Sequence, residues 1–90
     1  MLISNSISVN NVTPTLIVDG PVLGECVAHI QCFGDDVVIG DASVSPANGF
    51  LLSRSNTNQD RNFTVRLQSE QLYAVSLTGP ATVGVLAYTA

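Results

Sequence analysis

The stretch Asn62-Phe63-Thr64-Val65-Arg66-Leu67 decides the fold class, because its polar and apolar residues alternate strictly. Alternation with a period of two is typical of a β-strand that buries one face. Outward from it, turn-forming Gly, Pro, Asn and Asp recur roughly every 8–12 residues, which is the spacing of a sandwich or barrel. No segment carries apolar residues at helical spacing, so the sequence predicts an all-β protein without a required helix.

Further strands are predicted on both sides of this segment. Residues 72–76 and 81–88 follow it and are separated by a Thr-Gly-Pro turn, while residues 24–33 and 37–39 precede it. The short polar loop Gly34-Asp35-Asp36 predicts that the two preceding strands pair as a hairpin. Ninety residues suffice for one core. We therefore expect a single antiparallel β-sandwich or β-tulip domain of about seven short strands.

Residues 1–15 differ from the rest of the chain. They carry no charge, and Ile3, Ile7 and Val9 occupy odd positions between serines at even ones. This pattern favours an edge strand, with an extended N-terminal arm that becomes ordered on a neighbouring molecule as the alternative. Residues 16–90 then form the β domain.

The composition is unusual for so small a domain. Only 11% of the residues are charged, lysine is missing altogether, and 46% are hydrophobic, whereas soluble domains are about 25% charged. A small domain exposes a large share of its surface and so needs more polar cover than average. We infer that part of this surface faces another protein, as in a subunit of an assembly, and we expect no enzymatic activity.

Charge and patterning exclude several partners. A net charge of −4 with only three arginines does not provide the basic track of a nucleic-acid-binding protein. The apolar runs are too short to span a membrane, and no signal peptide is recognisable at the N-terminus.

Cys26 and Cys32 lie too far apart along one strand for a mutual disulfide. They are interpreted as reduced, buried side chains, with an intermolecular bridge or a reactive thiol as the alternative.

Candidate chemical groups are few, and we predict no catalytic, cofactor-binding or metal-ligating residues. His29 lies on the opposite face of its strand from both cysteines, which disfavours a nucleophilic Cys–His pair. Asp35, Asp36 and Asp41 are typical turn residues, with a calcium site as the alternative reading. No cofactor is expected.

The remaining expectations concern aromatic, glycine and loop residues. Four aromatic residues are assigned to the core and Tyr88 to an interface; the core residues are Phe33, Phe50, Phe63 and Tyr73. Gly84, inside a strand, indicates a bulge or the close approach of another backbone. The wholly polar residues 53–61 predict a mobile, solvent-facing loop.

The C-terminal half resembles a known group of proteins. Four segments carry the resemblance by their order and spacing: Val38-Ile39-Gly40, Asn48-Gly49-Phe50, Leu72-Tyr73-Ala74-Val75-Ser76 and Thr82-Val83-Gly84-Val85-Leu86. Residues 37–88 are thereby similar to small virion structural proteins of tailed bacteriophages, although residues 53–61 replace the short turn common in that group. The resemblance implies a capsid decoration (cement) protein that binds the major capsid protein on the outer capsid surface at subunit junctions. It implies no catalytic residues.

This resemblance and the composition lead to specific expectations. The protein is expected to be made in the host cytoplasm and to reside on the capsid surface of the virion as a homotrimer, without nucleic-acid or membrane partners. The predicted interface residues are Ile3, Ile7 and Val9 on the capsid side, and Val83, Val85 and Tyr88 between subunits. The alternative is a host-recognition module of a head or tail fibre, with residues 53–61 binding surface glycans.

Overall fold

The computed structural model describes residues 2–52 and 62–89, with only the backbone of residues 34, 62 and 63. These residues form eight strands and one helical turn, in the following order: β1 (Leu2–Val9), β2 (Thr15–Asp19), α1 (Gly20–Leu23), β3 (Cys26–Gly34), β4 (Val37–Gly40), β5 (Phe50–Leu52), β6 (Asn62–Leu67), β7 (Gln71–Ser76) and β8 (Ala81–Thr89). The helical turn occupies the predicted Asp19-Gly20-Pro21 turn and has a proline in its first turn, where the missing N–H costs no hydrogen bond.

The strands form two four-stranded antiparallel sheets. Sheet A has the order β1-β8-β3-β6, and sheet B has the order β2-β7-β4-β5. Among the described strands, only β4 and β5 are consecutive in sequence and paired with each other, because every other connection crosses between the sheets. This double Greek-key order is the jelly-roll arrangement of a β-sandwich. The predicted all-β sandwich is therefore confirmed, with eight strands.

The predicted hairpin between β3 and β4 is wrong, because these strands lie in different sheets. The Asp35 carboxylate accepts hydrogen bonds from the backbone N–H groups of Thr78 (2.7 Å) and Gly79 (3.1 Å), which belong to the β7–β8 connection. The backbone N–H of Leu77 donates to the carbonyl oxygen of Asp36. These bonds tie two crossing connections together at one end of the sandwich.

The core lies between the sheets and follows the alternation of the strands. In β3, the side chains of Cys26, Ala28, Ile30 and Cys32 point inward and are at most 2% exposed. Both cysteines are free thiols, as interpreted from their spacing, and the Cys32 thiol faces the carbonyl oxygen of Leu52 at 3.7 Å. Their burial removes both from contact with another chain.

The N-terminal segment lies within the sandwich. All eight residues of β1 pair with β8 in an unbroken register, from Leu2 opposite Tyr88 to Val9 opposite Ala81. Of the two structures considered for this segment, Leu2–Val9 thus adopts the edge strand, because one side of β8 is available to it along its full length.

Two of the four aromatic core assignments are wrong. Phe33 and Phe50 are 45% and 55% exposed, whereas Tyr73 is half-buried against Val38 and Val75. The Phe63 side chain and the predicted loop 53–61 lie outside the described residues. Strand parity explains the error at Phe33, which shares the outer face of β3 with His29.

Candidate functional site

The outer face of sheet B is covered by its own chain. The connection between β4 and β5 brings Val44 over Val38 and Val75, and these three side chains are at most 4% exposed and form a second small core. A Cβ added to Gly49, which has a φ of 147°, would lie 2.5 Å from Cγ1 of Val38. Only glycine tolerates both this φ and this close approach. Sheet B therefore leaves little of its central outer surface open to a partner.

None of the described residues covers the outer face of sheet A in this way. The apolar clusters of the described residues lie between the sheets and on the outer side of sheet B. The outward-facing residues of sheet A, here called the sheet A face, lie in rows across β1, β8, β3 and β6: Leu2, Tyr88, Val27 and Arg66; Ser4, Leu86, His29 and Thr64; Ser6, Gly84 and Gln31; Ser8, Thr82 and Phe33. Four large apolar side chains remain exposed there, namely Leu2, Phe33, Leu86 and Tyr88.

A shallow depression occupies the middle of the sheet A face. Its volume is about 580 Å³, and its lining includes Ser6, Gln31, Phe33, Gly84 and Leu86. Gly84 forms the floor, since it contributes no side chain between its two neighbouring strands. β8 pairs in continuous register on both sides, so the predicted bulge is not present at Gly84. The close neighbour is the Phe33 ring rather than another backbone.

His29 occupies one wall of this depression. Its Nδ1 lies 2.9 Å from Oγ1 of Thr64, and its ring stacks on Tyr88 with centroids 5.9 Å apart and planes inclined by 27°. The histidine faces away from Cys26 and Cys32, as its parity predicted, so the two thiols and the imidazole cannot act together. The stack instead gives the surface a flat aromatic patch.

Charges lie at the margin of the sheet A face. Arg66 is its one charged member among the described residues, and its guanidinium binds the Glu25 carboxylate. This pair is largely exposed and contributes little stability. The central two strands of the sheet, β3 and β8, carry no Asp, Glu, Lys or Arg. A partner can therefore cover the centre of this face without burying an unpaired formal charge.

The predicted aspartates hold turns. The pKa of the Asp35 carboxyl lies below its usual value because the carboxylate accepts several hydrogen bonds. The backbone N–H of Thr78 has the largest effect, followed by the Thr78 hydroxyl and by the backbone N–H groups of Gly79 and Asp36. The hydroxyl and backbone N–H of Ser43 lower the pKa of Asp41 in the same way. Within residues 2–52 and 62–89, no group of three or more His, Cys, Asp or Glu is placed to hold a metal ion.

The six predicted interface residues lie in three different places in the structure. Val9, Val83 and Val85 are at most 6% exposed and face the opposite sheet, so their side chains belong to the core. The inward direction follows from the register, which pairs β8 with inward-facing positions of β1 and β3. Only Tyr88, 42% exposed, lies on the sheet A face.

Ile3 and Ile7 are half-buried and lie with Val85 along an apolar cleft between β1 and β2. The cleft has a volume of about 210 Å³ and opens between the edges of the two sheets.

Sequence analysis missed Leu2, Phe33 and Leu86 as surface residues. The parity that places His29 on the outer face of β3 also places Phe33 there, so the signal was present in the sequence.

No helix within the described parts of the chain is long and apolar enough to cross a membrane. The fold is that of a jelly-roll domain, in which the described residues cover the outer face of sheet B and leave that of sheet A uncovered. Comparison with protein-family models finds no match, and comparisons with curated proteins and with solved structures find no significant similarity.

Proposed function

We propose that this protein is a structural component of a tailed-bacteriophage virion that binds the outer capsid surface and stabilises the shell. The observation that carries the proposal is the sheet A face, which exposes Leu2, Phe33, Leu86 and Tyr88 around a centre without formal charge. The partner is the major capsid protein. No catalytic group takes part, because the role is mechanical.

The size of the face supports this role. The four strands of sheet A contain 8, 9, 9 and 6 residues. At about 4.8 Å between strands and about 3.4 Å per residue, they cover roughly 500 Å² before side-chain relief is counted. A standard stable interface buries about 800 Å² on each partner. Covering the sheet A face therefore provides most of the contact area that one stable interface needs.

The architecture supports the proposal at the level of analogy. Jelly rolls occur in viral capsid domains, but they also occur in lectins and cupins, so the fold alone does not assign a function. Capsid surfaces present repeated, symmetric sites, which favours the homo-oligomers suggested by the composition. The chain's low charge is then explained by a surface that is covered in the particle.

The glycan-binding fibre module remains the second candidate, and its predicted binding segment, residues 53–61, lies outside the described residues. The depression in the sheet A face gives this alternative a specific location, since it combines the Phe33 ring with the hydrogen-bonding side chains of Ser6, His29 and Gln31. Sugar sites commonly combine these two features, an aromatic surface and polar groups.

The proposal is tested by adding the purified protein to capsids of the encoding phage assembled without it. We expect saturable cosedimentation with hundreds of copies per particle and slower thermal disruption of the decorated shell. Binding of a few dozen copies or fewer, or no binding to capsids together with retention on a glycan array, would contradict it and favour the fibre module.

A further inference from the structure

The four edge strands of the sandwich are protected to very different degrees. Sheet A ends at β1 and β6, and sheet B ends at β2 and β5. An edge strand exposes unpaired backbone N–H and C=O groups that attract another strand. Proteins block this pairing with short strands, bulges, prolines or charged residues.

Three of the edges carry such features. β5 has only three residues. The register of β2 shifts between Leu16 and Val18, and this strand ends at Asp19, immediately before the helical turn. β6 carries the charged Arg66, which is bound to Glu25. Strand addition at each of these edges is therefore disfavoured.

β1 carries none of these features. It has eight residues, contains no proline or charged residue, and pairs with β8 without a register shift. Its small side chains at Ser4, Ser6 and Ser8 leave the backbone accessible from the outer side. Among the described strands it is paired only with β8, so none of them pairs with the other side of its backbone.

The uncharged edge and two-fold symmetry together favour a second copy of this chain as the occupant. Two molecules with a net charge of −4 repel each other. Neither β1 nor the adjacent β8 contains a charged residue, so approach along this edge brings no carboxylates of these strands together. The same edge on both molecules satisfies the requirement of a two-fold interface.

We propose that two copies pair antiparallel through β1 about a two-fold axis, so that the two A sheets form one continuous eight-stranded sheet. The axis passes near the middle of β1, at Ser6, so that this outward-facing residue lies opposite its own copy. Because this axis is perpendicular to the sheet, both sheet A faces point in the same direction and form one enlarged surface. The pairing predicts a dimer in place of the expected trimer, and it does not depend on capsid binding.

The test places charges at the proposed axis. Asn5 and Ser6 are exposed on opposite sides of β1, so lysines are tolerated in a free subunit. Across the pairing, the lysine introduced at Ser6 faces its own copy, and the lysine introduced at Asn5 lies opposite Ile7 of the second copy. The variant is Asn5→Lys with Ser6→Lys. The matched control is Ala42→Lys with Ala47→Lys, which adds the same charge to exposed residues of the β4–β5 connection.

Mass is measured by light scattering across the micromolar range, and backbone protection by amide hydrogen exchange. We expect the wild-type protein and the control at twice the 9.4 kDa chain mass, with slow exchange along β1. The β1 variant is expected at the monomer mass, with its melting profile retained and faster exchange confined to β1. A monomeric or trimeric wild-type protein, or a dimer that survives both lysines, would overturn the proposal.

Discussion

The ring of Phe33 lies across Gly84 of the neighbouring strand, so that a Cβ added to Gly84 would stand 2.9 Å from the ring's Cε2. This relationship explains a glycine in the middle of a long strand. It also shapes the sheet A face, because the glycine forms the floor of the depression and the ring forms one wall.

We predict that Gly84→Ala changes the surface more than the stability. The Phe33 ring is partly exposed and can turn away from a methyl group, while alanine recovers about 0.5–1 kcal/mol of strand preference. The free energy of unfolding in urea should therefore change by less than about 1 kcal/mol. Capsid binding should weaken, because the ring fills the depression. A much larger loss of stability would show that the ring is fixed in place.

Gly49→Ala should destabilise the protein by about 2 kcal/mol or more, because a methyl group at a φ of 147° would also collide with Val38 and the carbonyl oxygen of Ile39. Gly79→Ala is the control, since an added Cβ there meets no atom within 4 Å. Urea unfolding of both variants checks the prediction. Equal stabilities would contradict the account of the covered sheet B.

Asp35→Ala should lower stability at neutral pH by about 1–2 kcal/mol, because the charged carboxylate accepts backbone hydrogen bonds from a distant connection. Since the pKa of this carboxyl is lowered in the folded protein, its contribution is fully present above its unfolded value near 3.9. The contribution is lost as pH falls through the lower, folded value.

Unfolding curves of wild type and Asp35→Ala should therefore converge in strong acid. Asp41→Ala provides the control, because the Asp41 carboxylate accepts hydrogen bonds from Ser43, two residues away, and its loss should affect stability less. A constant difference between wild type and Asp35→Ala from neutral pH to strong acid would refute the role given to the carboxylate.

Cys26 and Cys32 should resist thiol reagents in the native protein, because they are at most 2% exposed. Labelling should proceed at the rate of unfolding and should be complete in denaturant. A reducing agent should leave the melting temperature unchanged. Rapid labelling of the native protein, or a reductant-sensitive dimer, would contradict their assignment as core thiols.

Local alternation predicted much of this fold, and long-range contacts supplied the rest. The parity of β3 correctly separated Cys26 and Ile30 from His29. The loop Gly34-Asp35-Asp36 looks like a hairpin because its length and residue types suit one. Its path depends instead on Thr78 and Gly79, more than forty positions away, and no local pattern encodes that contact.

Side-chain exposure was predicted poorly for a related reason. Hydrophobicity favoured a buried Phe33 and left Val83 available for an interface, whereas the register of β3 with β8 reverses both assignments. In a strand, the face is decided by position and not by the side chain's own preference. Sequence composition favours a covered surface, and the sheet order adds the outer face of sheet A as the surface that we propose is covered.

One pair of variants tests the central claim most directly. Leu86 on the sheet A face and Leu51 on β5 are 41% and 42% exposed, so Leu86→Lys and Leu51→Lys make the same change at equal exposure. We measure the affinity of both for undecorated capsids. Burial of an unpaired ammonium costs several kcal/mol, so Leu86→Lys should bind at least about a hundredfold more weakly and Leu51→Lys like wild type. Equal binding by the two variants, or a loss confined to Leu51→Lys, would contradict the claim that sheet A is the bound face.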